Sequence, residues 1–272
     1  MTRDAPIGVF DSGVGGLTVL RALAERLPGE EILYLGDTAR LPYGTKSAHT
    51  VSRYAIQATH VLVERGVKLL VVACNTASAL AYDDLVAEYP RLPVIGVVRP
   101  GAEAACRASV SGRIVVLATE ATASHGAYER EIRRIRPEAH VTSKACSLFV
   151  ALAEEGWADG DIARAVASEY LRPLWDGNGA PDCLVLGCTH FPVLTKAIRS
   201  VTGDAVSIVD SAETTASAVA ELLAAQELER PAAVPASRPH FLATDSPERF
   251  ARVARRFLPE ALSPGEIELV DL

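Results

Sequence analysis

The sequence predicts an α/β protein built from two doubly wound domains of parallel β-sheet. Short runs of apolar, partly β-branched residues alternate with helix-length segments along the 272-residue chain, a pattern typical of parallel strands covered by helices on both faces. Two of these runs, at residues 69–72 and 184–186, each lead into a cysteine. The runs outnumber the strands that one compact sheet of this size usually has, so we expect two domains separated by a cleft.

The first predicted strand ends in a glycine-rich turn, Asp-Ser-Gly-Val-Gly-Gly at residues 11–16. These glycines permit a tight turn and a close approach of a ligand to the backbone. A dinucleotide site is not favoured, because Gly13-x-Gly15-x-x-Thr18 lacks the third glycine of that fingerprint. The predicted elements of this part are strand 7–10, helix 17–27, strand 31–35, loop 36–44, helix 47–65, strand 69–72, a helix ending near 88, and strand 94–97.

Arg99-Pro100-Gly101 is interpreted as the crossing into the second domain. The predicted elements that follow are helix 102–109, strand 114–117, polar loop 119–122, helix 124–136, strand 141–143, helix 148–155, helix 161–175, strand 184–186, helix 193–201, strand 206–209, helix 213–226, an exposed linker at 230–239, strand 240–243, helix 247–258 and a strand near 267. The predicted domains are therefore residues 1–98 plus 207–272, which contain Cys74, and residues 99–206, which contain Cys188.

The charge and hydropathy of the chain argue against several classes of function. A net charge of −7 and an isoelectric point near 5.5 do not favour binding to nucleic acid, which needs clustered Lys and Arg. The basic segment at 130–136 alternates with apolar and acidic residues, which indicates the exposed face of a helix. Since no apolar run is long enough to span a membrane and no secretory leader is apparent, we expect a cytoplasmic protein.

The five cysteines form no closely spaced pair, which favours reduced thiols over disulfides. Cys106 and Cys183 are interpreted as packing residues, whereas the role of Cys146 stays open. Zinc binding by Cys74, Cys188, His190 and Asp11 is an alternative, but their spacing has no signature of a closed zinc site. We therefore expect no metal.

The two cysteines that follow strands predict acid–base chemistry. In parallel sheets, the functional groups gather beyond the carboxyl ends of the strands, so Cys74 and Cys188 are expected to face one cleft. The pKa of a thiol lies close enough to neutrality for proton transfer. Two thiols on opposite sides of a stereocentre can remove a proton from one face and return one to the other, which is racemisation or epimerisation.

Polar residues beside the two cysteines fit this chemistry. Backbone amides at the turns, together with Ser12, Asn75, Thr76 and Thr189, are candidates for stabilising the negative charge that develops on the substrate. Asp11 is positioned to assist Cys74, or alternatively caps a helix. His190 is positioned to assist Cys188, or alternatively has only a structural role.

Five segments of the chain match those of a known family. The segments are Gly-Val-Phe-Asp-Ser-Gly-Val-Gly-Gly-Leu-Thr at 8–18, Gly-Asp-Thr-Ala-Arg-Leu-Pro-Tyr-Gly at 36–44, Ala-Cys-Asn-Thr-Ala-Ser-Ala at 73–79, Val-Leu-Gly-Cys-Thr-His-Phe-Pro at 185–192 and Val-Asp-Ser-Ala at 209–212. In these segments the chain resembles the cofactor-independent glutamate racemases of the aspartate/glutamate racemase superfamily, which supply D-glutamate for peptidoglycan. The resemblance spans nearly the whole chain.

The resemblance implies specific roles for residues of this chain. Cys74 and Cys188 would be the two bases, assisted by Asp11, Glu154 and His190. The substrate would be held by Asp11, Ser12, Tyr43, Gly44, Asn75, Thr76, Thr189 and His190. A two-domain fold with the active site between the domains, a homodimer and the absence of any cofactor are also implied.

The sequence departs from the family pattern at two places, Ala118 in place of a glycine and Ser147 in place of a proline. These departures leave open whether Glu154 or Glu155 is the assisting acid. Two functional alternatives also remain: a racemase for aspartate or another amino acid, and a non-catalytic amino-acid-binding or regulatory protein on the same scaffold.

Overall fold

In a computed structural model, the protein consists of two parallel β-sheets covered by helices. The structure describes residues 2–175, 179–230 and 238–272. The strands are β1 Ile7–Asp11, β2 Ile32–Gly36, β3 Leu69–Val72, β4 Val94–Gly96, β5 Arg113–Ala118, β6 His140–Ala145, β7 Cys183–Gly187, β8 Ser207–Asp210, β9 His240–Ala243 and β10 Ile267–Leu269.

The helices alternate with these strands along most of the chain, as the sequence pattern predicts. They are α1 Leu17–Arg26, α2 Ala48–Glu64, α3 Asn75–Leu80, α4 Tyr82–Glu88, α5 Val98–Ala108, α6 Glu120–His125, α7 Ala127–Ile135, α8 Ser147–Glu155, α9 Asp161–Trp175, α10 Thr195–Thr202, α11 Ser211–Ala225 and α12 Pro247–Ala254. In the described ranges, no helix combines the length and the apolar character needed to cross a membrane.

Each sheet is parallel throughout. The six-stranded sheet has the order β10-β9-β2-β1-β3-β4, and the four-stranded sheet has the order β6-β5-β7-β8. In the first sheet, β1 lies between β2 and β3, with Asp11 beside Gly36 and Phe10 beside Val72. The carboxyl ends of β1 and β3 are therefore adjacent, and they place Asp11 and Cys74 at one edge of the sheet.

Both faces of the first sheet are buried, which explains its continuous apolar strands. On β1, Ile7 and Val9 pack into one hydrophobic cluster, and Phe10 packs into a second cluster on the opposite face. This alternation follows from the two-residue period of a strand. The α/β prediction is confirmed.

Three of the predicted local elements were wrong. The helix predicted to end near residue 88 is broken at Ala81 into α3 and α4. The segment 119–122, predicted as a loop, is the start of α6, with Thr119 as its N-cap. Gly126 then adopts a left-handed conformation with φ of 69°, so α6 ends there and α7 begins at Ala127 instead of one helix running from residue 124.

Two further differences concern the ends of helices. The helix predicted to begin at residue 102 begins at Val98, so Arg99-Pro100-Gly101, interpreted as the domain crossing, belongs to the first turns of α5. Proline is tolerated there because the first amides of a helix have no partner within it. The helix predicted at 193–201 instead begins as a short 3₁₀ helix, Phe191–Leu194, and continues as α10.

Strand β8 pairs with β7 and therefore lies in the second sheet. The predicted domain boundary between residues 206 and 207 separates this strand from its own sheet, whereas β9 and β10 lie in the first sheet as the prediction requires. The domain limits themselves stay a prediction. Most of the predicted linker at 230–239 lies outside the described residues.

Candidate active site

Cys74 lies beyond the carboxyl end of β3 and caps α3. Its Sγ atom accepts a hydrogen bond from the Ala77 amide at 3.4 Å, and the thiol donates to Ser12 Oγ at 3.3 Å. Burial, followed by the negative charge of Asp11, raises the pKa of the thiol to about 12, because both effects favour the neutral form. The Cys74 thiol is therefore protonated at neutral pH.

Asp11, the last residue of β1, is almost completely buried. Its Oδ2 atom accepts a hydrogen bond from the Gly13 amide at 2.9 Å, whereas Oδ1 is buried beside Gly16 without a well-formed hydrogen bond to any described residue. Burial raises the pKa of this carboxyl, and the charge of His190 opposes the rise. A buried acceptor without a well-placed donor is costly, so this oxygen is suited to receive a cationic or hydrogen-bonding group from a ligand.

Cys188 follows β7 and is only 5% exposed. Its Sγ atom lies 3.8 Å from Nδ1 of His190, and Nε2 of His190 lies 3.3 Å from Glu154 Oε1. Cys188, His190 and Glu154 thus form a continuous chain of thiol, imidazole and carboxyl groups. The side chain of Glu155 is exposed, so it is Glu154 that the fold brings to the site.

Hydrogen bonds and neighbouring charges shift the pKa values of both His190 and Glu154. Burial alone would lower the pKa of His190, but its hydrogen bonds to Cys188 and Glu154 and the negative charges of Cys188 and Asp11 raise it above its usual value. Burial alone would raise the pKa of Glu154, but the hydrogen bonds and positive charges of His190 and Arg249 lower it. The arrangement therefore favours a protonated imidazole beside the Glu154 carboxylate.

The strand ends of the two sheets are packed directly against each other. Thr18 Oγ1 donates to the Thr189 carbonyl at 3.2 Å, and a Cβ atom added to Gly15 would lie 2.4 Å from both Thr189 Oγ1 and His190 Nδ1. Negative charge on Cys188 also raises the pKa of Cys74. The carboxyl ends of strands from the two sheets are therefore in contact, which brings Cys74 and Cys188 to the same region of the molecule.

Three threonine hydroxyls form a ring of hydrogen bonds beside Cys74. Thr76 Oγ1 lies 3.0 Å from Thr119 Oγ1 and 3.1 Å from Thr122 Oγ1, and the last two are 2.9 Å apart. Gly44 packs so closely on Thr119 that an added Cβ would lie 2.7 Å from the threonine Cβ. The ring therefore joins α3 of the first sheet to the start of α6 of the second.

Two of the predicted substrate-binding side chains are already satisfied by protein groups. The Tyr43 hydroxyl donates to Asp37, and Asn75 Oδ1 accepts from the Tyr128 hydroxyl at 2.7 Å. These two side chains therefore already have hydrogen-bond partners within the protein. The backbone of the Tyr43–Gly44 turn and the first-turn amides of α3 are the candidate contacts with a ligand.

Sequence reasoning missed the contribution of Thr119, Thr122 and Tyr128. The sequence analysis predicts a polar loop at 119–122, although a threonine N-cap followed by an acidic residue, here Glu120, in the first turn is a signal for a helix start. Tyr128 had no local signal, because its contact with Asn75 joins residues 53 positions apart in the chain.

The metal alternative receives no support from the geometry. Among residues 2–175, 179–230 and 238–272, no group of three or more His, Cys, Asp or Glu side chains is arranged to hold a metal ion. Cys74 instead contacts Ser12 and the Ala77 amide, and His190 contacts Glu154.

The chain is similar to proteins of a known family. The family model for Asp/Glu/Hydantoin racemase matches residues 7–219. The chain belongs to this family. Glutamate racemase from Geobacter metallireducens is 49% identical to this racemase over 98% of the chain and 96% of the relative.

Two solved structures are also similar to this racemase. Glutamate racemase from Thermus thermophilus, in complex with β-chloro-D-alanine, has a TM-score of 0.89 and 43% identity, covering 100% of this chain and 99% of the relative. Glutamate racemase from Francisella tularensis, in complex with D-glutamate, has a TM-score of 0.90 and 36% identity, covering 99% and 98%.

Replacing Asp11 with asparagine is expected to lower the pKa of Cys74. The substitution removes a negative charge that favours the protonated thiol, so the rise of thiolate with pH moves to lower pH. The measurement is the rate of Cys74 alkylation by iodoacetamide as a function of pH, followed by mass spectrometry. Asp4→Asn, at an exposed position, is the control and should leave the profile unchanged. An unchanged or higher midpoint in Asp11→Asn would contradict the expected coupling.

Proposed function

We propose that this racemase interconverts L-glutamate and D-glutamate by two-base proton transfer at Cα. The observation that carries the proposal is that two buried thiols, Cys74 and Cys188, follow strands of different sheets whose carboxyl ends are packed together. Each has its own ionisable neighbours: Asp11 for Cys74, and His190 with Glu154 for Cys188. The site is thus suited to proton transfer on both faces of a bound carbon.

In one direction, the Cys74 thiolate removes the α-hydrogen as a proton and becomes a thiol. The electron pair of the broken C–H bond stays on the substrate as a carbanion next to the carboxylate. The Cys188 thiol then protonates the opposite face and becomes a thiolate. The reverse direction exchanges these roles, and the two thiols return to their starting protonation states by exchange with solvent.

The neighbouring groups lower the free-energy barriers of these proton transfers. An α-ammonium group beside Oδ1 of Asp11 would offset the charge that raises the pKa of Cys74. The His190 imidazolium stabilises a thiolate on Cys188, and Glu154 holds the imidazole in place. Hydroxyl donors of Ser12, Thr76 and Thr189 and the nearby amides are suited to the substrate carboxylates and to the developing charge.

Glutamate is proposed over aspartate because the similar full-length relatives are named glutamate racemases and one solved relative contains D-glutamate. On the same family resemblance, we propose that the protein acts in the cytoplasm as a homodimer and supplies D-glutamate for peptidoglycan. No pyridoxal phosphate or metal is invoked, since the two thiols can perform both proton transfers.

Racemisation in heavy water tests the two-base step. Starting from L-glutamate, D-glutamate formed early in the reaction should contain solvent deuterium at Cα, while the unreacted L-glutamate stays protiated. Separate bases predict this because the hydrogen taken by one thiol is not the one delivered by the other. Chiral chromatography with mass spectrometry measures both enantiomers.

L-Aspartate, assayed in parallel, separates the substrate assignments. Faster turnover of aspartate would assign the protein to that substrate, and glutamate binding without turnover of either amino acid would favour the non-catalytic alternative. Product that retained its original hydrogen would exclude two separate bases.

A further inference from the structure

The series of side-chain contacts from Cys188 through His190 to Glu154 continues beyond the Glu154 carboxylate. Glu154 Oε1 faces His190, and its second oxygen, Oε2, accepts a hydrogen bond from Arg249 Nη2 at 2.9 Å. The two oxygens of one carboxylate are therefore held by two different cations. The Glu154 side chain is 18% exposed, whereas that of Arg249 is 45% exposed, so the arginine lies at the outer end of the chain.

We propose that Arg249 is a positioning residue for the proton-transfer apparatus of Cys188, because its guanidinium fixes the Glu154 carboxylate against His190. This inference rests on the proposed racemase function. It assigns a role to a residue outside the segments that carry the family resemblance, on a helix that contributes no other polar contact to the chain of groups described above.

The surroundings of Arg249 show that it is held in a defined place. Helix α12 buries Phe250 and Val253 in the same hydrophobic cluster that contains Ala153, the residue before Glu154. Just beyond α12, the ring of Phe257 packs edge-on against His190, with the ring centroids 5.3 Å apart. Residues 247–257, which include α12, therefore contact both Glu154 and His190. Arg249 contacts Glu154 through its charge, and Phe257 contacts His190 through its ring.

A small cavity of about 30 Å³ borders the pair and is lined by both Glu154 and Arg249, together with Asp245. Without the guanidinium, the Glu154 carboxylate would have room to rotate away from His190 into this space. Since a hydrogen bond between two ionised groups is shorter and stronger than one between neutral groups, the second contact at Oε2 restricts that rotation. Arg249 thus fixes the orientation of the carboxylate as well as its charge.

The direction of the expected pH effect follows from the groups that face Glu154. His190 and Arg249 lower the pKa of its carboxyl, against the opposing effect of burial. Asp11 adds a negative charge from the first sheet, and Asp245 lines the same cavity. Removing the Arg249 cation leaves burial and the nearby carboxylates less opposed, so the pKa of Glu154 rises.

Arg249→Met tests the proposal, with Arg256→Ala as a matched control. Arg256 lies just after the end of α12 and, like Arg249, contacts the end of α8. It donates to the Glu155 carbonyl at 3.4 Å and not to the Glu154 carboxylate. Each substitution removes one positive charge from the same region. Arg249→Lys keeps the charge without the planar guanidinium and should restore part of the loss.

Arg249→Met should lower kcat/KM by about five- to tenfold, the range for a partly exposed charged hydrogen bond. The loss must be equal in both directions, because enantiomers have an equilibrium constant of unity. The acid limb of the kcat/KM profile should move to higher pH, because Glu154 then becomes protonated at higher pH. Arg256→Ala should leave both the rate and the profile unchanged.

A direct titration of Glu154 makes the test independent of activity. In protein labelled with ¹³C at glutamate Cδ, the Glu154 resonance is assigned by its absence in Glu154→Gln, and its midpoint should be higher in Arg249→Met than in the wild type. An unchanged midpoint and acid limb, or an equal effect of Arg256→Ala, would overturn the role of Arg249. Lack of glutamate turnover by the wild type would instead refute the proposed function, while the titration would still report on Arg249.

Discussion

Cys74→Ala and Cys188→Ala should each lower racemisation of glutamate by about a thousandfold, the scale of losing a general acid or base. In the proposed mechanism, each thiol serves as the base for one enantiomer and as the acid for the other. Removing either one therefore stops a proton transfer in both directions. Initial rates from L-glutamate and from D-glutamate, measured by circular dichroism or chiral chromatography, test this expectation.

Cys106→Ala is the matched control for these two variants. Cys106 is half-buried, and its thiol donates a hydrogen bond to the backbone carbonyl of Ile132 at 3.8 Å. The substitution should leave the rate close to that of the wild type. The far-ultraviolet spectra and unfolding midpoints of all three variants show whether the fold is kept. A folded Cys74→Ala or Cys188→Ala protein with near-normal turnover would remove that thiol from the mechanism.

Gly15→Ala should reduce kcat/KM by about a hundredfold, the cost expected when a catalytic group moves by about 1 Å. The new Cβ would lie 2.4 Å from Thr189 Oγ1 and His190 Nδ1, well inside van der Waals contact. His190 therefore has to move, and its 3.8 Å contact with Cys188 changes with it. Steady-state kinetics in both directions measure the loss.

Gly29→Ala is the control for Gly15→Ala, since it makes the same chemical change where no atom lies within 4 Å of the new Cβ. Its activity should equal that of the wild type, and its stability should be unchanged or slightly higher because alanine restricts the unfolded chain. If Gly15→Ala kept full activity, the close packing of the glycine-rich turn on His190 would not be needed for catalysis.

The parts of the fold that the sequence predicted are those with local causes. Strands β3 and β9 were predicted with the observed bounds, and β1 and β7 each end within one residue of the predicted end, because apolar runs are interrupted by small or polar residues at the sheet edge. The break of the predicted helix at Ala81 had no such signal. Neither glycine nor proline interrupts the sequence from Asn75 to Glu88.

The residues of the candidate site likewise fall into those that the local sequence predicts and those that only the fold identifies. Cys74, Cys188, Asp11 and His190 stand next to strand ends, so their positions follow from the rule that functional groups gather at the carboxyl edge of parallel strands. Glu154, on helix α8, could not be separated from Glu155 on spacing alone. The fold decides between them, because one side chain faces His190 and its neighbour faces solvent.

The sequence by itself determined the α/β class, the two strand-end thiols and the family to which the chain belongs, because each is written in a short contiguous pattern. Only the tertiary structure decided that β8 joins the second sheet, that Thr76, Thr119 and Thr122 form a ring, and that Arg249 reaches Glu154. These features depend on contacts between residues far apart in the chain, which form when the sheets and their helices pack together.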